Sequence, residues 1–277
     1  MRLLDRKMKK ISKFRKRNVF EKYSEVFFTK CKIALKENKE YKAQFWSVVL
    51  FDLILVFVIL LFFEFYGKLV FEILNWSIFD FFLLFCFQLL AGKFYWMHNL
   101  RFLSQRILQG ELNLYLIRPV NTFFLTSIKF ISGSNIITGV ILLIVTIFAI
   151  FIGNYQNIIL AVIILVLGSI YFVIFIDFLY SFAFFIKESM FLVQIFNHQL
   201  NMNIQHFTPK LFEMSIFKWV AFLLPSAIYG FFAVQALKNE FTLLLFFLPY
   251  LLISFFIMLF GVILMWHYGL KKYEAFG

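Results

Sequence analysis

The sequence predicts an all-α polytopic membrane protein with six transmembrane helices, and three observations lead to this fold class. Hydrophobic residues make up 62% of the 277 residues, whereas Asp, Glu, Lys and Arg together make up 15%. In a soluble domain, about a quarter of the residues are normally charged. Apolar blocks recur at the length of roughly 20 residues that a helix needs to cross a bilayer. Basic residues gather on alternate flanks of these blocks, as is typical of cytoplasmic loops.

Five apolar blocks are long enough to be spanning helices within a single transmembrane domain, residues 46–277. They cover about residues 46–66, 73–96, 130–152, 158–186 and 241–266. Several of their ends carry tryptophan, whose amphipathic ring favours the headgroup layer. Each block is therefore predicted to cross the membrane once.

A sixth span is predicted over residues 189–209, where the apolar pattern is interrupted by polar side chains. These side chains recur at steps of three, four and seven or eight residues, which place them on one helical face: Gln194, Asn197, His198, Asn201 and Gln205. That face has to point to the protein interior or to a wet cavity, because unsatisfied polar groups are costly in lipid. Counting Lys and Arg leaves the crossing open, since both topologies put nearly all of them on the cytoplasmic side. We favour six spans with both termini in the cytoplasm.

Residues 211–239 are predicted to form an outer re-entrant segment. The stretch FLLPSAIYGFF is apolar but contains Pro225, which breaks a helix because it lacks an N–H and clashes with the preceding turn. A short helical hairpin that enters the outer leaflet and returns fits this pattern.

The first 45 residues form a basic segment that is predicted to be cytoplasmic. Residues 1–17 carry nine basic residues against one acidic residue. Beside a spanning helix, the favoured partner of such a cluster is the anionic inner leaflet rather than nucleic acid. Residues 18–45 place apolar side chains at helical spacing, which predicts an amphipathic helix along the membrane surface. A solvated helix with no role beyond topology is the alternative.

The chain lacks recognisable catalytic and metal-binding motifs. Its histidines form no HExxH pair, and no GxSxG nucleophile motif occurs. Cys31 and Cys86 have neither the number nor the spacing of a disulfide framework or a zinc site. The nucleotide-binding pattern GxxxxGK[ST] is absent. We therefore expect no enzymatic activity and no metal or cofactor on this chain; any ATP that drives it would bind to another polypeptide.

Three acidic residues, Asp52, Asp80 and Asp177, lie within or at the rims of apolar blocks, where a carboxylate is costly. Asp177 is predicted to lie deepest. It is either a proton or cation site facing the bundle interior or a hydrogen-bonded contact between helices, and the same alternatives hold for the other two. We expect no basic partner for them within the clear spans. A possible pathway would combine Asp177 with the polar face of residues 194–205.

A polar elbow, residues 98–119, separates the second and third spans. Residues 98–109 alternate apolar and polar side chains in the manner of an interfacial helix. Gly110 weakens that helix, and Pro119 favours an extended conformation for the residue before it, so LYLIR is predicted to be a stiff strap. A soluble protein that gripped this elbow could move both flanking helices at once. The alternative is an inert loop at the lipid surface.

Three stretches of the chain resemble a known family. The run from Ile107 to Asn121, I-x2-GELNxYLIRPVN, is similar to the cytoplasmic elbow of bacterial and archaeal type-2 ABC exporter permeases. The ending YGLKKYEAFG is similar to that family's C-terminal tail, and FLLPSAIYGFFAVQAL resembles its outer proline-containing segment. Asn113 stands where the family usually has Asp, and Ala233 stands where a second proline is common.

The resemblance implies the permease half of an ATP-driven exporter in the cytoplasmic membrane of a prokaryote. Two permease chains, identical or different, would form the pathway, and two cytoplasmic ATPase subunits holding ATP and magnesium would grip the elbows. The substrates of such exporters include lipids, glycans, drugs and peptides. The implied coupling residues are Gly110, Glu111, Leu112, Arg118 and Pro119. Among them we expect Glu111 to make a direct polar contact with the ATPase, and Gly110 and Pro119 to set the shape.

Two other functions remain open from the sequence. The first is a proton- or cation-coupled carrier that uses Asp177, with Gln194, Asn197, His198 and Asn201 lining its path. The second is a structural membrane protein that binds a partner through the basic N-terminus.

Overall fold

The computed structural model describes residues 18–66, 76–97, 100, 102–128, 131–186, 191, 195 and 218–273, and every regular element in these ranges is helical. The first half of the chain contains α1 (Val19–Glu40), α2 (Lys42–Tyr66), α3 (Ile78–Met97), α4 (Leu103–Leu108), α5 (Asn113–Leu116) and α6 (Thr122–Ser127). The second half contains α7 (Gly133–Ile152), α8 (Ile158–Ser181) with a 3₁₀ turn (Phe182–Phe184), α9 (Lys218–Leu223), a π-helix (Ala227–Phe232), α10 (Ala233–Leu237) and α11 (Thr242–Lys272).

Four of the described helices are long and apolar enough to cross a membrane: α3, α7, α8 with its 3₁₀ turn, and α11. They match four of the predicted spans. The first predicted span coincides with α2, in which residues 45–58 form a shorter apolar helical stretch. The predicted sixth span, 189–209, lies outside the described residues, and so do its polar side chains Gln194, Asn197, His198, Asn201 and Gln205.

The core of the described bundle lies where α3 packs against α7, α8, α2 and the π-helix. The π-helix and α10 lie inside this bundle, against α8 and α3, and all their residues are buried. Close approach requires Gly168 of α8, because a Cβ there would stand only 2.6 Å from the backbone nitrogen of Tyr229. The apolar stretch around Tyr229 is thus held by the spanning helices themselves.

The described part of the predicted re-entrant segment is a broken helix. α9 ends at Leu223, the chain bends at Leu224, and the π-helix and α10 follow after Pro225. The helix thus breaks at Leu224, directly before Pro225, as the proline predicts, and Pro225 itself begins the next helical stretch. α9 packs on α11, whereas α10 packs on α8 and α3, so the two arms contact different helices. Residues 211–217 of the segment lie outside the described ranges.

The expectation that the clear spans hold no basic partner for an acidic residue is wrong. Lys93 in α3 places its Nζ 2.5 Å from Oδ2 of Asp52 in α2, and both side chains are largely buried. Lys93 lies four residues before the end of α3, which suggested a flanking position. Its long alkyl chain nevertheless carries the ammonium group to Asp52, since lysine buries its stem and moves its charge.

At the end of the bundle away from the elbow, Asp80 joins three elements. Asp80 and Ser77 cap the start of α3, with Ser77 N–H donating to Asp80 Oδ2 at 2.7 Å and Asp80 N–H donating to Ser77 Oγ at 3.2 Å. The hydroxyl of Tyr155, in the α7–α8 loop, donates to Asp80 Oδ1. Lys238, which follows α10, places its Nζ 3.6 Å from Asp80 Oδ2 and 5.7 Å from the centre of the Trp76 ring. We call Trp76, Ser77, Asp80, Tyr155 and Lys238 the far-end cluster.

The environment of Tyr155 disfavours its charged form. Burial and the neighbouring Asp80 carboxylate both raise the pKa of Tyr155 above its ordinary value of 10.0. The ion pair of Asp52 with Lys93 and the contacts of Asp80 with Tyr155 and Lys238 confirm the interpretation of both carboxylates as contacts between elements of the bundle.

Candidate functional site

The elbow begins with α4, which ends in a complete Schellman motif. Gly110 has φ of 71° and occupies the left-handed position just after the helix. Its N–H donates to the carbonyl of Ile107 at 3.3 Å, and the N–H of Glu111 donates to the carbonyl of Arg106 at 3.0 Å. Glycine adopts this conformation without a Cβ penalty, so Gly110 fixes the direction in which the chain leaves α4.

The stiff strap predicted for LYLIR is not present, because Asn113–Leu116 forms the one-turn helix α5. Its turns are closed by backbone bonds such as Leu116 N–H to the Leu112 carbonyl at 3.0 Å. Pro119 disfavours helix only at the residue directly before it, and Arg118 indeed lies beyond α5, in a bend. The prediction of a strap was wrong because Pro119 does not prevent residues 113–116 from forming a helical turn.

Buried side chains anchor the elbow to the bundle. Leu112 is fully buried and Tyr115 nearly so. Arg106 is only 2% exposed, and its Nη1 donates to the backbone carbonyl of Thr126 in α6 at 2.9 Å. Burial lowers the pKa of Arg106, while Tyr115 and Glu111 oppose that shift electrostatically. One buried guanidinium thus connects α4, the following turn and α6.

The end of the elbow is tied to α1. Asn121 caps α6 by accepting from the N–H groups of Phe123 and Phe124. The backbone N–H of Asn121 in turn donates to the hydroxyl of Tyr23 at 3.2 Å, and the Tyr23 ring meets the Phe124 ring edge to face at 4.8 Å. The amphipathic helix α1 therefore contacts the elbow directly.

One side of the elbow is exposed and mainly apolar. Ile117 is 82% exposed and Leu114 58%, and Arg118 and Pro119 beside them are exposed as well. The Arg118 guanidinium lies 5.6 Å from the centre of the Tyr115 ring, which restricts its orientation. We call Leu114, Ile117, Arg118 and Pro119 the elbow face.

The five predicted coupling residues fall into different environments. Arg118 and Pro119 belong to the elbow face, and Glu111 is half-buried near Arg106. Gly110 and Leu112 lie in the turn beneath, where they determine its shape. Sequence reasoning missed Leu114 and Ile117, whose exposure follows from the helical turn of α5 rather than from the predicted strap.

An aromatic bridge connects the elbow to the long helices. Trp266 of α11 contacts the ring of Phe123 in α6 and the ring of Phe184, both at 5.0 Å and nearly perpendicular. Its Nε1 donates to Ser181 Oγ of α8 at 3.0 Å. Trp266 is buried at the junction of α6, α8 and α11.

A cavity of about 660 Å³ lies beside this bridge, between α8, α11, α6 and α1. Asp177 lines it and is 3% exposed. A second cavity of about 310 Å³ adjoins it, since Val173 and Ile174 line both. Asp177 is the one predicted pathway residue within the described ranges. In those ranges, no group of three or more His, Cys, Asp and Glu side chains is placed to hold a metal ion.

Comparison with known proteins gives one match. A family model described as "ABC-2 family transporter protein" matches residues 52–277 of the chain. The match includes the elbow, the helices that the aromatic bridge connects, and most of the cavity wall; α1 precedes it. No curated protein and no solved structure matches the chain.

Proposed function

The chain belongs to the ABC-2 family of transporter proteins, and we propose that it works as the permease of an exporter driven by a separate cytoplasmic ATPase. Membership of the family makes it the membrane subunit of an ABC transporter. The proposal adds two statements to family membership: transport is outward, and a separate cytoplasmic ATPase drives it. The elbow face, an apolar surface with one cation on a rigidly anchored turn, supports the contact with a separate ATPase. The outward direction rests on the resemblance of the elbow to that of exporter permeases.

The elbow has the mechanical properties that coupling requires. The Schellman motif and the bond from Arg106 to the Thr126 carbonyl hold α4 and α6 together, so a force on Ile117 moves them as one body. Trp266 then passes the displacement to α8 and α11 through Phe123 and Ser181. Closure of an ATPase dimer beneath two such elbows would shift these helices and expel the substrate.

Within this proposal, the elbow lies in the cytoplasm of a prokaryote, both termini lie on the same side, and the chain crosses the membrane six times. ATP and magnesium bind to the ATPase subunits. The pathway forms between two permease chains, identical or different. Residues 1–17, which lie outside the described ranges, contact anionic lipids. The polar face of 194–205, also outside them, lines the pathway together with Asp177.

The proposed partnership is tested at Ile117. Ile117→Asp changes a side chain that is 82% exposed, so it should leave folding intact but place a charge in the ATPase contact. Co-expression with candidate ABC ATPase subunits from the same genome should give a complex that this variant loses. Phe20→Asp is the matched control, because Phe20 is 83% exposed but lies on α1. Retention of the ATPase by Ile117→Asp would contradict the proposed contact.

Transport direction and topology are tested separately. In a chain with Cys31→Ser and Cys86→Ser, Ile117→Cys should react with a membrane-impermeant maleimide in inside-out vesicles and not in intact cells. Uptake of the transported substrate into the same inside-out vesicles should require hydrolysable ATP. Labelling in intact cells would place the elbow on the exterior, where no cytoplasmic ATPase reaches it. Transport that continues without ATP but stops in Asp177→Asn would favour the cation-coupled carrier.

A further inference from the structure

We propose that the connection between α10 and α11, residues 238–241, is a latch that holds the far end closed and releases when ATP closes the ATPase subunits. This inference rests on the export function proposed above and assigns the exit gate of that transporter. The argument comes from how the polar contacts of the far end divide between the latch and the elements that it touches.

Polar contacts between side chains join the latch to α3 and to the α7–α8 loop. The Lys238 ammonium lies 3.6 Å from Asp80 Oδ2. The side-chain amide of Asn157 donates to Asn239 Oδ1, and Asn239 Nδ2 donates to Gln156 Oε1 at 3.4 Å. The amide contacts are exposed, so water can replace them at little cost. The ion pair with Asp80 is therefore the contact that decides whether the latch stays closed.

The Asp80 carboxylate keeps its other partners when the latch leaves. It accepts from the N–H of Ser77 at 2.7 Å and from the hydroxyl of Tyr155. Both donors lie at the start of α3 or in the α7–α8 loop and do not belong to the latch. Release of Lys238 thus leaves a carboxylate that still accepts two hydrogen bonds.

The Lys238 ammonium also keeps a partner, because the latch carries its own carboxylate. Glu240 Oε1 lies 3.6 Å from Lys238 Nζ, the same distance as Asp80 Oδ2. The backbone N–H of Glu240 donates to the Gln235 carbonyl of α10 at 2.9 Å, which holds Glu240 beside Lys238. Breaking a buried ion pair is expensive chiefly when it leaves a charge uncompensated. Here the ammonium passes from Asp80 to Glu240, so the far end has two arrangements in which both charges are satisfied.

One helix joins this latch to the elbow end. α11 begins directly after the latch and carries Trp266, the centre of the aromatic bridge, near its other end. Its 31 residues span about 46 Å at 1.5 Å per residue. A displacement that reaches Trp266 through Phe123 therefore pulls on the latch through a continuous rod. Coupling between distant sites requires such a connection and an element with two discrete arrangements.

The closed latch is tested on the purified full-length chain in micelles, without any ATPase. In a chain with Cys31→Ser and Cys86→Ser, nitroxide labels on Ile159→Cys and Thr242→Cys flank the latch at exposed positions. Electron spin resonance gives the distance between them. Lys238→Met should lengthen it by at least about 3 Å, because a water that enters between bonded groups adds one further bond length. Lys238→Arg should keep the parent distance, since its guanidinium also pairs with carboxylates. An unchanged distance in a well-folded Lys238→Met chain would overturn the role of the ion pair.

Release is tested on the complex with the ATPase, in which the cluster itself is left intact. Trapping with ATP and vanadate should lengthen the distance between the labels at positions 159 and 242 by at least about 3 Å. Labels on Ile152→Cys and Ile159→Cys, which flank the α7–α8 loop, are the matched control and should keep their distance. An unchanged distance between positions 159 and 242, in a complex that hydrolyses ATP, would overturn the proposal. A chain that forms no such complex would instead refute the export function, and the measurement on the chain alone would still decide whether the ion pair holds the latch.

Glu240→Gln tests the transfer of the ammonium group. The chain alone should keep the parent distance, because Asp80 still pairs with Lys238. Trapping with ATP and vanadate should no longer lengthen it, because release would leave Lys238 without a carboxylate on the latch. Glu40→Gln is the control, since it removes an exposed carboxylate of α1 and should keep the full response. A full response in Glu240→Gln would show that Glu240 does not receive the ammonium group.

Discussion

The two ends of the helical bundle are held together by different kinds of contact. At the far end, Asp80 joins α3, the α7–α8 loop and the end of α10 through an ion pair and hydrogen bonds. At the elbow end, Trp266 joins α6, α8 and α11 mainly through ring edges. Next to it lies a cavity of about 660 Å³.

The difference lies in how strictly each kind of contact fixes the geometry of the helices that it joins. Directional bonds among charged groups at the far end fix one geometry, because each bond needs its partner at a set distance and angle. At the elbow end, the ring contacts of Trp266 set no fixed bond angle, although its Nε1 also donates a hydrogen bond to Ser181 Oγ. The described chain is therefore held at the far end by directional bonds among charged groups and at the elbow end mainly by the packing of aromatic rings.

The largest expected effect comes from Arg106, a buried polar anchor at the elbow end. Arg106→Met removes a buried guanidinium that binds the Thr126 carbonyl, and we expect the free energy of unfolding to fall by about 3 kcal/mol, the upper end of the range for hydrogen bonds to charged groups. Thermal unfolding of the purified chain in micelles measures this. Arg118→Met is the control, since Arg118 is exposed and its loss should cost less than about 0.5 kcal/mol. Equal melting temperatures for the two variants would show that Arg106 is no anchor.

The next effect tests the far-end cluster. Asp80→Asn keeps the cap of α3 but removes the charge that faces Lys238, and we expect a loss of about 2 kcal/mol. Glu240→Gln removes the more exposed partner of Lys238 and should cost about 0.5 kcal/mol or less. If the cluster ties the far end, Asp80→Asn should also speed hydrogen exchange in residues 153–157. An unchanged hydrogen-exchange rate in residues 153–157 would show that Asp80 does not hold this loop against α3.

A smaller effect is expected at Gly110. Gly110→Ala places a Cβ at φ of 71°, which costs about 1.5 kcal/mol for an L-residue. The strained turn should alter how the elbow face is presented, so ATPase capture should weaken more than the melting temperature suggests. Gly92→Ala is the matched control, because a Cβ there meets nothing within 4 Å. Full capture by Gly110→Ala would show that the left-handed turn is dispensable.

The smallest effect at neutral pH concerns Tyr155. Its pKa is raised in the folded chain, so the folded state keeps the phenol proton longer than the unfolded state does. The stability that this provides is complete below about pH 10 and is lost as the pH rises through the raised pKa. Melting temperatures between about pH 8 and pH 11 should therefore fall more steeply for the wild type than for Tyr155→Phe. Parallel pH profiles would exclude Tyr155 as the cause.

The length of the apolar helices and the place of one helix break follow from the sequence, because both depend on local physical constraints. The span lengths at α3, α7, α8 and α11 follow from the thickness of the hydrocarbon layer, and the break at Pro225 follows from a missing N–H. The position of the elbow between two apolar blocks follows in the same way. These are local properties, which depend only on nearby residues.

Contacts between distant residues were decided by the tertiary structure alone. Nothing local indicates that Lys93 reaches Asp52, that Tyr155 and Lys238 meet at Asp80, or that Trp266 joins α6 to α8 and α11. The elbow face likewise required the fold, since one turn of helix in place of a strap turns Leu114 and Ile117 outwards. The sequence by itself determined which of the described helices are long and apolar enough to cross a membrane. Which side chains meet was decided by helix rotation and packing, because hydrophobicity drives burial without selecting partners.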